Sequence, residues 1–137
     1  MYHYPLKGFA TNVFIVDDSV EVCERLSQLL RSINGITIAG QAHNVLDAID
    51  SINQLKPEVV LLDIQMPGGS GIDVLRNAKQ QTPAPTVMMI TNFPYPHFRK
   101  KCMEAGADYF FDKSTEFSKV FTVFSRLNEK RNYNFPN

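Results

Sequence analysis

Acidic side chains follow two apolar runs of this sequence, and a lysine follows a third. Asp17 and Asp18 come directly after "VFIV", Asp63 comes directly after "VVLL", and Lys113 follows Asp112 at the end of "YFFD". Neighbouring carboxylates oppose each other's ionisation and burial opposes it further, so such a group favours a nearby cation. Carboxylate ligands without a His or Cys pair are typical of a site for Mg²⁺ or a similar hard divalent ion.

The apolar runs recur regularly along the chain. Short runs rich in branched and aromatic residues, each followed by a stretch with helical spacing, occur at 12–16, 36–40, 58–62, 86–90 and 108–111. Strands that alternate with helices indicate a parallel sheet with right-handed crossovers. We therefore predict an α/β fold, a single doubly wound (βα)5 domain with helices on both faces of a five-stranded sheet. Its strands would bring their carboxyl ends, and the polar residues above, to one edge.

The helix boundaries are predicted from capping residues. Asn44 and Ser70 are candidate N-caps of the second and third helices, and the fifth helix is expected to begin near Ser114. Gly35 stands where the first helix would have its C-terminal cap. Asp18 with Glu21 resembles a capping arrangement for that same helix, which gives the acidic pair a purely structural alternative.

Composition bounds the function classes. The 137 residues fit one domain, with 14 basic and 14 acidic side chains and 44% hydrophobic residues, so no global attraction to nucleic acid or anionic membrane is indicated. Two cysteines, no signal-peptide pattern and no apolar run of membrane-spanning length favour a cytoplasmic protein. We expect an N-terminal extension over 1–11, the domain over 12–129 and a C-terminal tail over 130–137.

Asp63 is the candidate nucleophile of this edge. Its carboxylate could attack a phosphoryl group to give an acyl phosphate, while a metal ion and the Lys113 ammonium neutralise charge on the transferring oxygens. Thr91, at the end of the fourth strand, could donate a hydrogen bond to another phosphoryl oxygen. Each residue also has a purely structural interpretation. Asp63 could start a turn, Lys113 could be a solvated lysine at a strand end, and Thr91 could be a β-branched strand residue.

At these positions the sequence resembles the response-regulator receiver domains of two-component signalling. The motifs are "VDDS", "LLDIQMPGGSG", "MITN" and "GADYFFDKS", in this order, and the resemblance covers about residues 12–127. It implies a flavodoxin-like sheet with the strand order 2-1-3-4-5. It also implies the following site roles: phospho-acceptor Asp63; direct metal ligands Asp18, Asp63 and the backbone carbonyl of Gln65; water-mediated metal support from Asp17; phosphoryl contacts from Thr91 and Lys113; and switch residues Thr91 and Phe110.

The resemblance implies a signalling switch rather than an enzyme. A histidine kinase or a phosphotransfer protein would donate the phosphoryl group to Asp63 with Mg²⁺ or Mn²⁺. The surface of the fourth helix, fifth strand and fifth helix, about residues 94–127, would then act on a downstream protein or a fused output domain, or form a phosphorylation-dependent dimer, with no direct nucleic-acid or membrane binding. Alternatives are an interaction module that acts without phosphorylation, and a Mg²⁺-dependent phosphohydrolase, which would want a carboxylate where Gln65 stands.

Some residues depart from the family pattern. Asn92 follows Thr91 where a small residue is usual, and Ser114 follows Lys113 where proline is usual, which changes the loop that aims the lysine. Gln65 and Phe93 lie where the family tunes hydrolysis. Phe110 has aromatic neighbours, Tyr109 and Phe111, that offer alternatives for the switch position, and it could itself be only a core residue.

Overall fold

A five-stranded parallel sheet forms the centre of the fold. The computed structural model describes residues 10–133, and the side chains of residues 10–127. The strands of the sheet lie in the order β2-β1-β3-β6-β7, and their bounds are Thr11–Val16 (β1), Ile36–Ala42 (β2), Val59–Leu62 (β3), Thr86–Thr91 (β6) and Tyr109–Asp112 (β7). Counting only these five strands, this is the predicted order 2-1-3-4-5, and the predicted fold class is confirmed.

In the described part of the chain, four helices connect successive strands of the sheet and a fifth follows the last strand. They are α1 (Val20–Arg31), α2 (Val45–Leu55), α3 (Gly71–Lys79), α4 (Pro96–Glu104) and α5 (Phe117–Tyr133). Within the described part of the chain, no helix is both long enough and apolar enough to cross a membrane. The division of the chain at residues 11 and 129 stays a prediction, and residues 1–9 and 134–137 lie outside the described residues.

The sheet separates two apolar cores, because successive strand side chains point to opposite faces. Phe14 and Val16 of β1 pack with α2, α3 and α4, while Val13 and Ile15 of the same strand pack with α1 and α5. The strands β3, β6 and β7 alternate in the same way. Coverage on both faces explains why β3 and β6 read as continuous apolar runs.

The helix starts rule out one structural alternative and correct one expectation. Ser19, not Asp18, is the N-cap of α1, because its side chain accepts a hydrogen bond from the Val22 amide at 3.2 Å. The helix α5 begins at Phe117, three residues later than expected, because the backbone after Lys113 first forms a turn. Asn44 and Ser70 cap α2 and α3 as predicted.

Gly35 does not cap α1 directly. The helix ends at Arg31 with Ser32 as its C-cap, and Gly35 occupies a turn with φ of 87° before β2. A left-handed backbone of this kind costs a glycine little, whereas a residue with a Cβ is strained there. Gly35 therefore shapes the entry into β2 instead of terminating the helix.

A short antiparallel hairpin follows Asp63. Its strands are β4 (Gln65–Met66) and β5 (Gly69–Ser70). The Gly71 amide then donates to the Ile64 carbonyl at 2.6 Å, so the start of α3 lies directly against the backbone that carries Asp63. A Cβ built on Gly71 would collide with the Asp63 carbonyl, which explains why glycine begins α3.

We expect Gly71→Ala to lower the free energy of unfolding by about 2–3 kcal/mol, the upper part of the range for overpacking, because the colliding atom belongs to backbone that cannot rotate away. Chemical denaturation measures the effect. Gly68→Ala is the control, since a Cβ there meets nothing within 4 Å and only the φ of +82° is strained, at a cost of roughly 1 kcal/mol. Equal losses in the two variants would show that the close approach to Asp63 is not tight.

Candidate phosphoryl-acceptor site

Three carboxylates converge at the carboxyl edge of the sheet. Asp17 and Asp18 follow β1, Asp63 follows the adjacent strand β3, and one carboxylate oxygen from each lies within 4.8 Å of the others. Asp17 and Asp63 are buried, whereas Asp18 is exposed. The structure therefore brings together the three acids that the sequence placed at strand ends, with Asp18 on the solvent side.

Lys113 reaches this acidic group from the edge strand β7. Its Nζ lies 2.6 Å from Asp17 Oδ2 and 3.4 Å from Asp63 Oδ2. Its backbone amide donates to the Thr91 carbonyl at 2.7 Å, which holds the loop after β7 against the end of β6. The lysine is thus a half-buried partner of the two buried acids and not a solvated strand-end residue.

The charges of the site shift its pKa values. Burial raises the pKa of the Asp63 carboxyl; the Lys113 charge opposes the rise and the Asp17 charge adds to it. Burial by itself lowers the pKa of Lys113, but the hydrogen bond from Lys113 to Asp17 and the charges of Asp63 and Asp17 outweigh it, so the net pKa of Lys113 is raised. The ammonium stays protonated, and Asp63 ionises less readily than a carboxyl in water.

Backbone amides orient the two buried acids. The Ser19 amide donates to Asp17 Oδ1 at 3.0 Å, and the Ile64 amide donates to Asp63 Oδ1 at 2.7 Å. Each carboxylate therefore has one oxygen fixed by the backbone, while its Oδ2 atom faces Lys113. Of the two, Asp63 Oδ2 is held less closely by the ammonium, at 3.4 Å against 2.6 Å for Asp17 Oδ2.

Cys23 is buried and lies next to Asp17. Its Sγ donates to the Asp17 carbonyl at 3.5 Å, and burial, together with the Asp17 charge, raises the pKa of the thiol to about 12. A thiol that stays protonated is a poor nucleophile. Asp63 is thus the better nucleophile of this edge.

Thr91 is fully buried at the end of β6. Its Oγ1 accepts a hydrogen bond from the Phe93 amide at 2.9 Å, so the hydroxyl hydrogen is left to donate elsewhere. Gln65, in contrast, is exposed in the hairpin, where it pairs with Ser70. Asp18 and Gln65 line the polar end of an open groove of about 370 Å³ whose other walls include Met66, Pro67 and Phe98.

Phe110 points into the core formed with α2, α3 and α4, and 5% of it is exposed. The neighbouring Phe111 points to the opposite core, and Tyr109 also packs there. Arg99 of α4 covers the Phe110 ring, with its guanidinium carbon 5.4 Å from the ring centroid, and donates to the Phe110 carbonyl at 3.4 Å. Of the three aromatics, Phe110 is therefore the one that faces α4.

The sequence reasoning missed several supporting residues. Arg99 lies in the basic run "RKK", which reads as a solvated helix surface, and no local pattern indicates that its guanidinium reaches a strand eleven positions away. The Glu116 carboxylate accepts a hydrogen bond from the Asp112 amide at 3.0 Å. The sequence gives only a weak indication of this contact. Glu116 falls in the first turn of the predicted fifth helix, where an acid is common because it complements the helix dipole, so the sequence does not single it out.

Comparison with known proteins decides the family. The family model described as "Response regulator receiver domain" matches residues 13–125. The chain belongs to the response-regulator receiver family. Its fold is thus that of a receiver domain, and its class is that of regulatory domains of two-component signalling.

This receiver domain is similar to parts of longer proteins. It is 38% identical over 106 residues to a protein-glutamate methylesterase/protein-glutamine glutaminase of Desulfotalea psychrophila, covering 76% of this chain and 29% of that protein. It is 34% identical over 116 residues to a response regulatory protein of Vibrio cholerae, covering 85% and 48%. The chain therefore spans less than half the length of these two relatives.

Solved structures share the fold. The structure of a CheX-CheY-BeF3-Mg complex from Borrelia burgdorferi matches with a TM-score of 0.72 and 31% identity, covering 83% of this chain and 89% of that chain. The response-regulator domain of Thermotoga maritima CheB matches with a TM-score of 0.76 and 25% identity, covering 90% and 97%. The receiver fold thus extends over most of the present chain.

The donor set fits a hard divalent cation. Three carboxylate oxygens within 4.8 Å of one another provide the ligand type that Mg²⁺ prefers, and one ammonium balances only part of their charge.

We expect excess Mg²⁺ to raise the melting temperature of the parent protein, because an ion that binds only the folded chain stabilises it by mass action. A chelator should reverse the rise.

We expect Asp63→Asn to raise the free energy of unfolding at neutral pH, in chelator, by about 1 kcal/mol, the usual scale of a single substitution. A carboxyl whose pKa is raised by folding stabilises the fold below its unfolded pKa, and that contribution is lost as the pH rises through the folded pKa. Ionised Asp63 therefore destabilises the fold at neutral pH, and the amide relieves it. Thermal denaturation in chelator measures this stabilisation, and thermal denaturation in excess Mg²⁺ measures how much of the ion's stabilising effect the variant keeps.

Asp50→Asn, which changes an exposed carboxylate on α2, is the matched control and should respond to Mg²⁺ as the parent does. Asp63→Asn should lose most of the Mg²⁺-dependent gain. A lower melting temperature for Asp63→Asn than for the parent in chelator would contradict the assignment of an electrostatic cost to Asp63.

Proposed function

We propose that this receiver domain is a phosphorylation-dependent switch in which Asp63 accepts a phosphoryl group from a histidine kinase or a phosphotransfer protein with Mg²⁺ or Mn²⁺. The observation that carries the proposal is the convergence of Asp17, Asp18 and Asp63 with the Lys113 ammonium at one edge of the sheet. Acids held together around one cation suit the transfer of a charged group.

Asp63 would act as the nucleophile. Its Oδ2 forms the new bond to phosphorus, and the bond from phosphorus to the donor's leaving atom breaks, which gives an acyl phosphate on Asp63. The Ile64 amide on Oδ1 keeps the carboxylate in one orientation during this step. A residue held in position before the reaction needs less ordering at the transition state.

The metal ion, when bound, neutralises charge on the transferring phosphoryl oxygens. Asp18, Asp63 and the Gln65 carbonyl would be its direct protein ligands, and Asp17 would support it through water. The exposure of Asp18 and the burial of Asp17 under Lys113 favour this division. In the B. burgdorferi complex, which is 31% identical, beryllium fluoride and Mg²⁺ are both present, and this supports a similar ion here.

Lys113 and Thr91 would bind the phosphoryl group once it is on Asp63. The Lys113 Nζ, 3.4 Å from Asp63 Oδ2, is placed to pair with a phosphoryl oxygen. The Thr91 hydroxyl keeps its hydrogen for the same group because its oxygen already accepts from Phe93. Neither residue changes the bonds; both would stabilise negative charge that accumulates at the site.

The signal would leave the site through Thr91 and Phe110. These residues lie on adjacent strands, where Met89 pairs with Phe110 and Thr91 pairs with Asp112. A Thr91 displaced toward a phosphoryl group would bias the equilibrium of Phe110 and of α4, which contacts it through Arg99. The surface formed by α4, β7 and α5 would carry the change to a downstream protein, an attached output domain or a second copy of the chain.

The setting of the domain is also part of the proposal. We propose the division into an extension over 1–11, the receiver domain over 12–129 and a tail over 130–137. A cytoplasmic location suits two buried cysteines that are free thiols. The methylesterase relative indicates that an output activity can lie elsewhere in a longer protein, since this chain covers only 29% of it.

We expect a small-molecule phosphodonor with Mg²⁺ to label the parent protein at one site, and Asp63→Asn to reduce the labelling by at least a hundredfold, because Asp17, the other buried acid beside Lys113, is held more closely by the lysine, at 2.6 Å against 3.4 Å for Asp63. Intact-mass measurement gives the stoichiometry. Asp50→Asn should be labelled like the parent, and a chelator should abolish labelling.

Equal labelling of Asp63→Asn and the parent would overturn the acceptor assignment. Full binding of a downstream partner by unlabelled Asp63→Asn would favour an interaction module that works without phosphorylation. Sustained turnover of small phosphate esters, with many phosphates released for each protein molecule, would favour a phosphohydrolase.

A further inference from the structure

The loop that carries Lys113 is closed by the side chain of the residue before it. Asp112 Oδ1 accepts hydrogen bonds from the Ser114 amide at 2.9 Å and from the Ser114 hydroxyl at 2.7 Å. The Lys113–Ser114 peptide bond is trans, since Thr82–Pro83 is the cis bond found in the described residues. Because proline has no amide hydrogen, the first of these bonds requires a residue other than proline at position 114.

Glu116 braces the same loop from the other side. Its Oε1 accepts from the Asp112 amide at 3.0 Å, and its own amide donates to the Asp112 carbonyl at 2.8 Å. Its Oε2 is paired with Lys119 at 2.8 Å. Asp112 is therefore held through its amide, its carbonyl and its carboxylate. Lys113 lies between Asp112 and Ser114, which are hydrogen-bonded to each other.

The position of the Lys113 ammonium depends on this loop. The lysine backbone has one hydrogen bond to the sheet, from its amide to Thr91, and its side chain must then reach Asp17 and Asp63 across the edge. Hydrogen bonds to a carboxylate are stronger than those between neutral groups. The Ser114 bonds also lower the pKa of Asp112, which keeps the carboxylate charged.

We propose that Asp112 is a positioning residue for phosphoryl transfer, which acts by fixing the Lys113 loop through Ser114 with Glu116 as a second brace. The proposal rests on the proposed function of Asp63. Asp112 touches neither Asp63 nor the transferred group; it determines where the Lys113 ammonium lies when the phosphoryl group arrives. A small displacement of such a charge lowers a rate strongly.

A double-mutant cycle tests this inference. Phosphorylation rates with a small-molecule phosphodonor and excess Mg²⁺ are measured for the parent, Asp112→Ala, Lys113→Ala and the double variant, at a temperature where circular dichroism shows all four folded. We expect Asp112→Ala to lower the rate about tenfold, and to lower it less than twofold when Lys113 is already alanine. Non-additivity of this kind is the signature of one residue acting through the other.

Three further variants make the result decisive. Asp112→Asn keeps an acceptor oxygen and should recover part of the rate, and Asp50→Ala, which removes an exposed carboxylate from α2, should leave the rate unchanged. Lys113→Met keeps most of the side-chain length but removes the charge, and it replaces Lys113→Ala as the second background if the alanine variant is too slow to measure. The affinity for Mg²⁺, from calorimetry, should change less than threefold in Asp112→Ala.

Equal fold-losses from Asp112→Ala with and without Lys113 would overturn the inference, as would a parental rate for Asp112→Ala. Failure of the proposed function looks different, because the parent itself would then take up no phosphoryl group at Asp63. A parent that is labelled at Asp63 with an additive cycle would reject only the positioning role of Asp112.

Discussion

The ion pair between Asp17 and Lys113 is the constraint on which the site depends. A parallel sheet brings the ends of β1 and β3 side by side, so Asp17, Asp18 and Asp63 cannot avoid one another. Lys113 at 2.6 Å from Asp17 offsets part of this repulsion, and burial makes the remaining charge harder to tolerate. Such an edge has the excess negative charge and the oxygen donors that suit a divalent cation.

The rest of the molecule keeps that edge rigid and connects it to a surface. Apolar side chains from each strand enter both cores, so a strand end cannot move without disturbing helices on one face or the other. Gly71 lets α3 begin directly on the Asp63 backbone. The side chains of Phe110 and Phe111, on β7, pack into opposite cores. Arg99 of α4 lies over the Phe110 ring. Packed side chains therefore lie between Thr91 and α4.

The strands and the site residues could be predicted because their signals are local or topological. Apolar runs marked β3 and β6, and the parallel arrangement alone brought Asp63, Thr91 and Lys113 to one edge. Details that depend on competition between neighbours were missed. Ser19 caps α1 although Asp18 is also a good capping residue, since the Asp17 and Asp18 side chains lie in the acidic group. Long-range contacts such as Arg99 with Phe110 leave no pattern in the sequence.

Asp17 and Lys113 are 96 positions apart, and this separation has a consequence for biosynthesis. A ribosome makes the chain from the amino end, so the three acids emerge well before the lysine that neutralises them. A nascent chain that ends before β7 holds the three acids without the Lys113 ammonium and without the edge strand that carries it. The charged groups of this edge therefore come together only when the last strand docks.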